Sequence, residues 1–103
     1  MLRLQRDSLE YVRVPIAATE AGTTVNPTGD AVALAAPAAG QPPVTYVAGS
    51  WETATINGVT TYYARALFGT GGLDLAVGFY DLYVKITDSP EIPVILAGGL
   101  EIF

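Results

Sequence analysis

The sequence predicts an all-β domain built from two packed antiparallel sheets of seven or eight strands. Three observations carry that prediction. The run LDLAVGFYDLYVKITD, from Leu73 to Asp88, has a period of two on both sides of Gly78. Leu73, Leu75 and Val77, then Tyr80, Leu82, Val84 and Ile86, fall on one face, and Asp81, Tyr83, Lys85 and Thr87 on the other, the pattern of half-buried strands. Asn57-Gly58 stands between two stretches of β-forming residues, and both residue types tolerate the positive φ of a two-residue hairpin. Finally, clusters of Gly, Pro, Asn and Asp punctuate the chain at roughly 8–14-residue intervals, the rhythm of a two-layer β domain. With 103 residues, the chain holds one domain, which we place at residues 9–103 behind an N-terminal arm, residues 1–8.

In the arm, Met1, Leu2 and Leu4 alternate loosely with Arg3, Gln5 and Arg6, a pattern suited either to pairing with the sheet edge of another subunit or to a frayed terminus. From Glu10 to Ala18, Val12, Val14, Ile16 and Ala18 share a face, with Tyr11, Arg13 and Ala17 opposite. Pro15 has no N–H to donate, so this strand lies at a sheet edge or changes partners there. Thr19–Asp30, with Gly22, Asn26-Pro27 and Gly29, reads as loop, with room for a short strand at Val25. Asp30–Ala36 alternates Val32 and Leu34 inward with Ala31, Ala33 and Ala35 outward; it is bounded by Gly29 and Pro37 and too short for a helix. APAAGQPP (36–43) is a surface loop, and Val44–Thr53 is the next strand, with Trp51 in the core.

The hairpin follows. Trp51–Ile56 and Val59–Phe68 pair around Asn57-Gly58, and the second arm places Tyr63, Arg65 and Leu67 on one face and Tyr62, Ala64, Ala66 and Phe68 on the other. Gly69-Thr70-Gly71-Gly72 turns the chain into the Leu73–Asp88 run. There, Gly78-Phe79-Tyr80 resembles the tyrosine corner of immunoglobulin-like sandwiches, in which a Tyr near a strand start bonds to upstream backbone. Within the all-β class the expected architecture is therefore an immunoglobulin-like antiparallel β-sandwich, with Gly78 and Tyr80 as its structural corner. Ser89-Pro90-Glu91 turns into a last strand, Ile92–Phe103, in which Gly98-Gly99 marks a bulge.

Composition excludes much chemistry. There is no cysteine and no histidine, which removes disulfides, thiolate and imidazole metal ligands, thiol nucleophiles and the commonest general base. Ser8, Ser50 and Ser89 have no histidine to activate them, and no Gly-x-Ser-x-Gly elbow occurs. Asp30, Asp88 and Glu91 lack the dense spacing of a calcium loop. We therefore expect no catalytic residue, no cofactor and no metal. Net charge is −5, and three of the five cations, Arg3, Arg6 and Arg13, lie in the first thirteen residues. The body of the domain lacks the basic stripe that nucleic acid requires. No stretch approaches the ~20 apolar residues of a membrane-spanning helix, and the N-terminal MLRLQRDSLEY has no signal-peptide pattern, so synthesis in a cytoplasm is expected.

What remains is contact with other proteins. Charged residues are only 15% of the chain and hydrophobic ones 50%, against a usual charged share of about 25%. Large exposed apolar areas mark interaction sites, and Tyr and Phe are favoured at interfaces. The candidate interface residues are Leu2, Arg3, Leu4 and Arg6 of the arm with Tyr62, Phe79 and Tyr83 of the body.

Three stretches together, DSLEYVRVPIAATEAGTTVNPTGDAVALA, SWET with TYYARALFGTGG, and LAVGFYDLYVKITDSPEIPV, resemble small structural proteins of tailed phages of actinobacteria, over about residues 7–98. The resemblance implies a virion component: a capsid decoration or minor head protein, or else a head–tail connector or tail-surface piece. Its implied partners are the major capsid protein or connector and tail proteins, and further copies of itself. It transfers no catalytic residue. The competing expectation is a bacterial surface binding module of immunoglobulin-like fold that presents loops 36–43 and 69–72 to a sugar or protein.

Overall fold

The computed structural model describes residues 2–16, 19–20, 23–24, 29–87, 92 and 94–103. Among them there are ten strands and no α-helix: β1 (Leu2–Leu4), β2 (Glu10–Ile16), β3 (Thr19–Glu20), β4 (Thr23–Thr24), β5 (Ala31–Ala35), β6 (Val47–Ala48), β7 (Ser50–Ile56), β8 (Val59–Phe68), β9 (Gly78–Thr87) and β10 (Val94–Ile102). Five form one sheet in the order β1-β10-β9-β5-β6, and three form a second in the order β2-β8-β7. β3 and β4 form a separate two-stranded antiparallel sheet.

The period-two pattern decides which faces meet. From the five-stranded sheet, Leu4, Val32, Leu34, Leu82, Val84, Ile86, Leu100 and Ile102 are buried; from the three-stranded sheet, Val12, Val14, Ile16, Ala64, Ala66 and Phe68 join them in one hydrophobic cluster. The domain is thus all-β with two sheets sharing a core. On β8 that core takes the Ala64-Ala66-Phe68 face, which leaves Tyr63, Arg65 and Leu67 on the outer side. The small alanines let β8 approach the opposite sheet closely, and Trp51, half-buried, packs at the cluster's margin.

Local signals act as their chemistry requires. Asn57 (φ 51°) and Gly58 (φ 77°) turn β7 into β8 with both central residues at positive φ, the twist that matches flanking strands. Register then runs from Ile56↔Val59 to Ser50↔Arg65. β2 pairs with β8 alone, so Pro15, opposite Tyr63, lies on an edge strand where its missing N–H breaks no ladder. The register of β10 on β9 shifts between Leu96 and Gly98, which leaves Ala97 as the extra residue of a bulge one position before the expected Gly98-Gly99 step; Gly98 and Gly99 themselves stay in register with Leu82 and Asp81. Near the start of β9, the Tyr80 hydroxyl donates to the Ala76 carbonyl at 2.7 Å. Tyr80→Phe removes that single bond while keeping the ring, and we expect it to lower unfolding free energy by about 1 kcal/mol, measured by urea denaturation.

Several expectations are corrected. Residues 2–4 are not a free arm. They form β1, parallel to β10 with Leu2↔Leu100 and Leu4↔Ile102, and are tied by Phe103 N to Leu4 O (2.9 Å) and Arg6 N to Phe103 O (2.7 Å). Backbone pairing to the chain's own last strand, together with burial of Leu4, outweighs the freedom of a short terminus. Residues 73–77 are not a strand: only Leu73 makes a bridge, to Phe68, and Asp74–Val77 run irregularly into β9. Val44–Thr53 is not one strand but two. β6 lies in the five-stranded sheet and β7 in the other, and the chain crosses at Gly49, whose N–H donates to Val32 O at 2.8 Å. Trp51 is consequently on an outer strand; its indole N–H donates to Asp30 O at 2.8 Å. Ala35, read as outward, is fully buried, because the 36–41 loop folds along β9 beside it, with Ala39 N to Phe79 O and Asp81 N to Pro37 O. The expected loop at 19–30 holds the short antiparallel pair β3 and β4. Ala17, Ala18, Val25 and the Ser89-Pro90-Glu91 turn lie outside the described residues.

Candidate contact surface

Because Leu82, Val84 and Ile86 point into the core, their β9 neighbours Phe79, Asp81, Tyr83 and Lys85 point away from it. Register brings Glu101 and Leu96 of β10 opposite Phe79 and Tyr83, and Val94 opposite Lys85. Arg3 of β1 lies opposite Glu101 and bonds to it, Nε to Oε1 at 2.8 Å, with its guanidinium 4.4 Å from the Phe103 ring centroid. On the far side, the Lys85 ammonium lies 4.1 Å from the Tyr46 ring centroid. The outer face of the five-stranded sheet is therefore an apolar and aromatic field edged by two cation–ring contacts. Its most exposed large members are Phe79 (57%) and Leu96 (58%).

The candidate interface residues separate on this frame. Arg3, Phe79 and Tyr83 come together on the outer face. Leu2 has the phase of Leu4 and lies on the inner side of β1, paired with Leu100 and lining a space beside Leu82 and Gly98. Arg6 reaches the other way, to Asp74 at 2.8 Å. Tyr62 belongs to the other sheet, opposite Ile16 and Thr53, and is half-buried. Leu4 is buried in the core and offers no contact surface; as the inward residue of an alternating strand it packs beside Ile102. Gly78 and Tyr80 open β9, the tyrosine ring packed against the core cluster.

Sequence reasoning missed Val94, Leu96 and Phe103 in this field. The signal was present in VILAGGLEIF, whose uncharged first half could not be fully buried by an edge-proximal strand. It also missed an ion cluster on the outer face of the three-stranded sheet. Arg13 Nε meets Glu52 Oε2 at 2.6 Å, Arg65 meets Glu52 Oε1 at 3.1 Å and Ser50 Oγ at 3.0 Å, and the Arg65 guanidinium lies 4.4 Å from the Tyr11 ring centroid. No short-range pattern announces this cluster, since its members come from three strands joined only by register.

The hydrogen bond from Arg13, reinforced by the charges of Arg13 and Arg65 and opposed by partial desolvation, holds the Glu52 carboxyl below its ordinary value of 4.5. A carboxyl depressed on folding adds stability that is complete above its unfolded value and is lost as pH falls through the folded one. Glu52→Gln is therefore expected to melt below the parent at neutral pH, with the gap closing as pH falls below 4.5 and through the lowered folded value. The pair is exposed, so the gap should also narrow in high salt. Thermal melts of both proteins across pH 3–7 test this, and a gap that widens in acid contradicts it.

No family model, curated protein or solved structure matches this chain.

Proposed function

We propose that this chain is a non-enzymatic structural subunit of a tailed-phage virion, a capsid decoration or minor head protein of immunoglobulin-like fold. The fold reading is supported by strand order. In such sandwiches strands G, F and C with the added C′ lie side by side, and B, E and D form the facing sheet. The orders β10-β9-β5-β6 and β2-β8-β7 match these in sequence, with β2 as B, β5 as C, β9 as F and β10 as G. Tyr80, near the start of the F equivalent, bonds to backbone four residues upstream, as a tyrosine corner does. The chain departs from antibody-type domains in lacking the disulfide and in carrying Trp51 on the D equivalent rather than on C.

One observation carries the functional reading: the outer face of the five-stranded sheet leaves Phe79, Val94 and Leu96 exposed on rigid, hydrogen-bonded backbone. A face of that kind serves packing against another protein better than it serves chemistry. The resemblance of residues 7–98 to phage structural proteins supplies the setting, with the major capsid protein and further copies of this chain as partners. Localisation in the virion follows.

Mass spectrometry of purified particles tests the proposal. The expected result is this chain in fixed stoichiometry with the major capsid protein, lost from particles when Phe79→Asp and Leu96→Asp are combined while the purified variant remains folded. A copy number matching a connector ring instead would place it at the head–tail junction. Absence from particles, with the free monomer binding glycan, would replace the virion reading with the surface-module one.

A further inference from the structure

The two sheets do not close evenly along the flank where β2 and β10 face each other. β2 is the outer strand of its sheet, and β1 covers β10 only from Leu100 to Ile102. Among the described residues, Val94–Ala97 therefore has β9 on one side and no strand on the other. Ile95 lies opposite Val84, a core residue, and so points inward, yet it is 41% exposed. The reason is an open cleft. Val14, Pro15 and Ile16 form one wall and Ile95, Leu96 and Ala97 the other, around about 350 Å³. It continues past Ala97 into a second space of about 240 Å³ lined by Leu2, Arg13, Leu82, Gly98 and Gly99.

We propose that this cleft accepts one extended strand donated by another polypeptide, laid along Val94–Ala97 in line with β1, with alternate aliphatic side chains entering the cleft. Three features fit that occupant. The free edge of β10 presents backbone N–H and C=O groups that a strand satisfies and a flat surface does not. β1 already occupies the same edge three residues further on, so an added strand continues an existing row. The third is area. Leu2 and Ile95, the inward-facing aliphatic side chains that line the two spaces from the β1–β10 side, are each 41% exposed, and together they offer roughly 50–100 Å² of apolar surface at the area per side chain that transfer energies imply. A face-to-face dimer needs about 800 Å² from each partner, of which roughly 450–500 Å² is apolar. A second copy docked here by its surface falls well short, whereas an inserted strand touches both walls and adds a ladder of hydrogen bonds. Among the described residues, Arg13 is the only charged side chain lining the two spaces, and it is already paired with Glu52, so the donated segment is uncharged.

The test uses the intact chain and a synthetic peptide, acetyl-Val-Thr-Val-Thr-Val-amide, with acetyl-Val-Thr-Pro-Thr-Val-amide as control. The expected result is a set of saturable amide shift changes at Val14, Ile16, Ile95 and Ala97, with at least tenfold slower hydrogen exchange at Val94–Ala97, from the first peptide only. A parallel variant carries Thr-Val-Thr-Val-Thr fused ahead of Met1. It should melt several degrees above the parent, a gain that Ile95→Lys abolishes. No shift changes, or equal changes from the proline control, would overturn the proposal. So would a dimer of the unmodified chain that Ile95→Lys dissociates in sedimentation, which would assign the cleft to a second copy.

Discussion

Leu34→Ala is expected to lower unfolding free energy by about 3–4 kcal/mol. Leu34 is fully buried on β5, between Val47 of β6 and Val84 of β9. One of its methyls lies where a side chain on Gly49, at the crossing between the sheets, would have to go. Truncation leaves a void bounded by hydrogen-bonded strands on both sides, and strands locked in register collapse poorly around a hole. For a domain of this size the loss corresponds to a fall in Tm of about 15–25 °C. Urea titration should show a lower midpoint with an unchanged slope. Leu96→Ala, which shortens a side chain on the exposed outer face, should stay within about 0.5 kcal/mol. A loss below about 1 kcal/mol at Leu34 would mean that the two sheets do not close over β5.

Much of this architecture was legible because it is written in short range. The alternation in β2, β5 and β9 assigns core faces one strand at a time, whereas β8 carries apolar groups on both faces and takes its core side only from the sheet packed against it; Asn57-Gly58 fixes a hairpin and its register in two residues. Pro15 marks an edge because a missing N–H is a local fact. What escaped the sequence depends on long-range pairing. Leu2–Leu4 looks like a loose arm until the last strand arrives some hundred residues later to pair with it. Nothing around Gly49 says that the strand after Val44 will change sheets, since both halves keep β-forming residues. Leu73, Leu75 and Val77 alternate as well as any strand, yet Leu73 and Leu75 reach the core margin from an irregular segment.

The contact surface divides along the same line. Phe79 and Tyr83 were recognisable as outward aromatics from the phase of β9 alone. That Arg3, Glu101 and Phe103 would join them required β1 and β10 to be placed side by side. Leu4, one residue further along β1, shares the composition of its neighbours but the opposite phase, and so it belongs to the core.

Gly69→Ala is expected to cost about 3 kcal/mol, from two effects acting at one atom. Gly69 closes β8 with φ at +120°, a backbone conformation that costs an L side chain about 1–3 kcal/mol. An added Cβ there would also run into the Ser8 carbonyl oxygen and lie 3.1 Å from Leu9 Cα. Ser8 and Leu9 connect β1 to β2 and hence one sheet to the other, so they cannot retreat without moving a strand. The turn has little slack to offer: Gly69 N donates to Leu73 O at 2.9 Å, Gly72 N to Gly69 O at 3.0 Å and Leu73 N to Leu67 O at 2.9 Å. Gly71→Ala separates the two effects. It too has positive φ, +91°, but open space around the new methyl, so it should lose only the backbone share, about 1 kcal/mol. Urea unfolding of the pair measures the difference, and displaced amide signals at Ser8 and Leu9 in the Gly69 variant alone would locate it. Equal losses in the two variants would show that the link between β1 and β2 does not press on this turn.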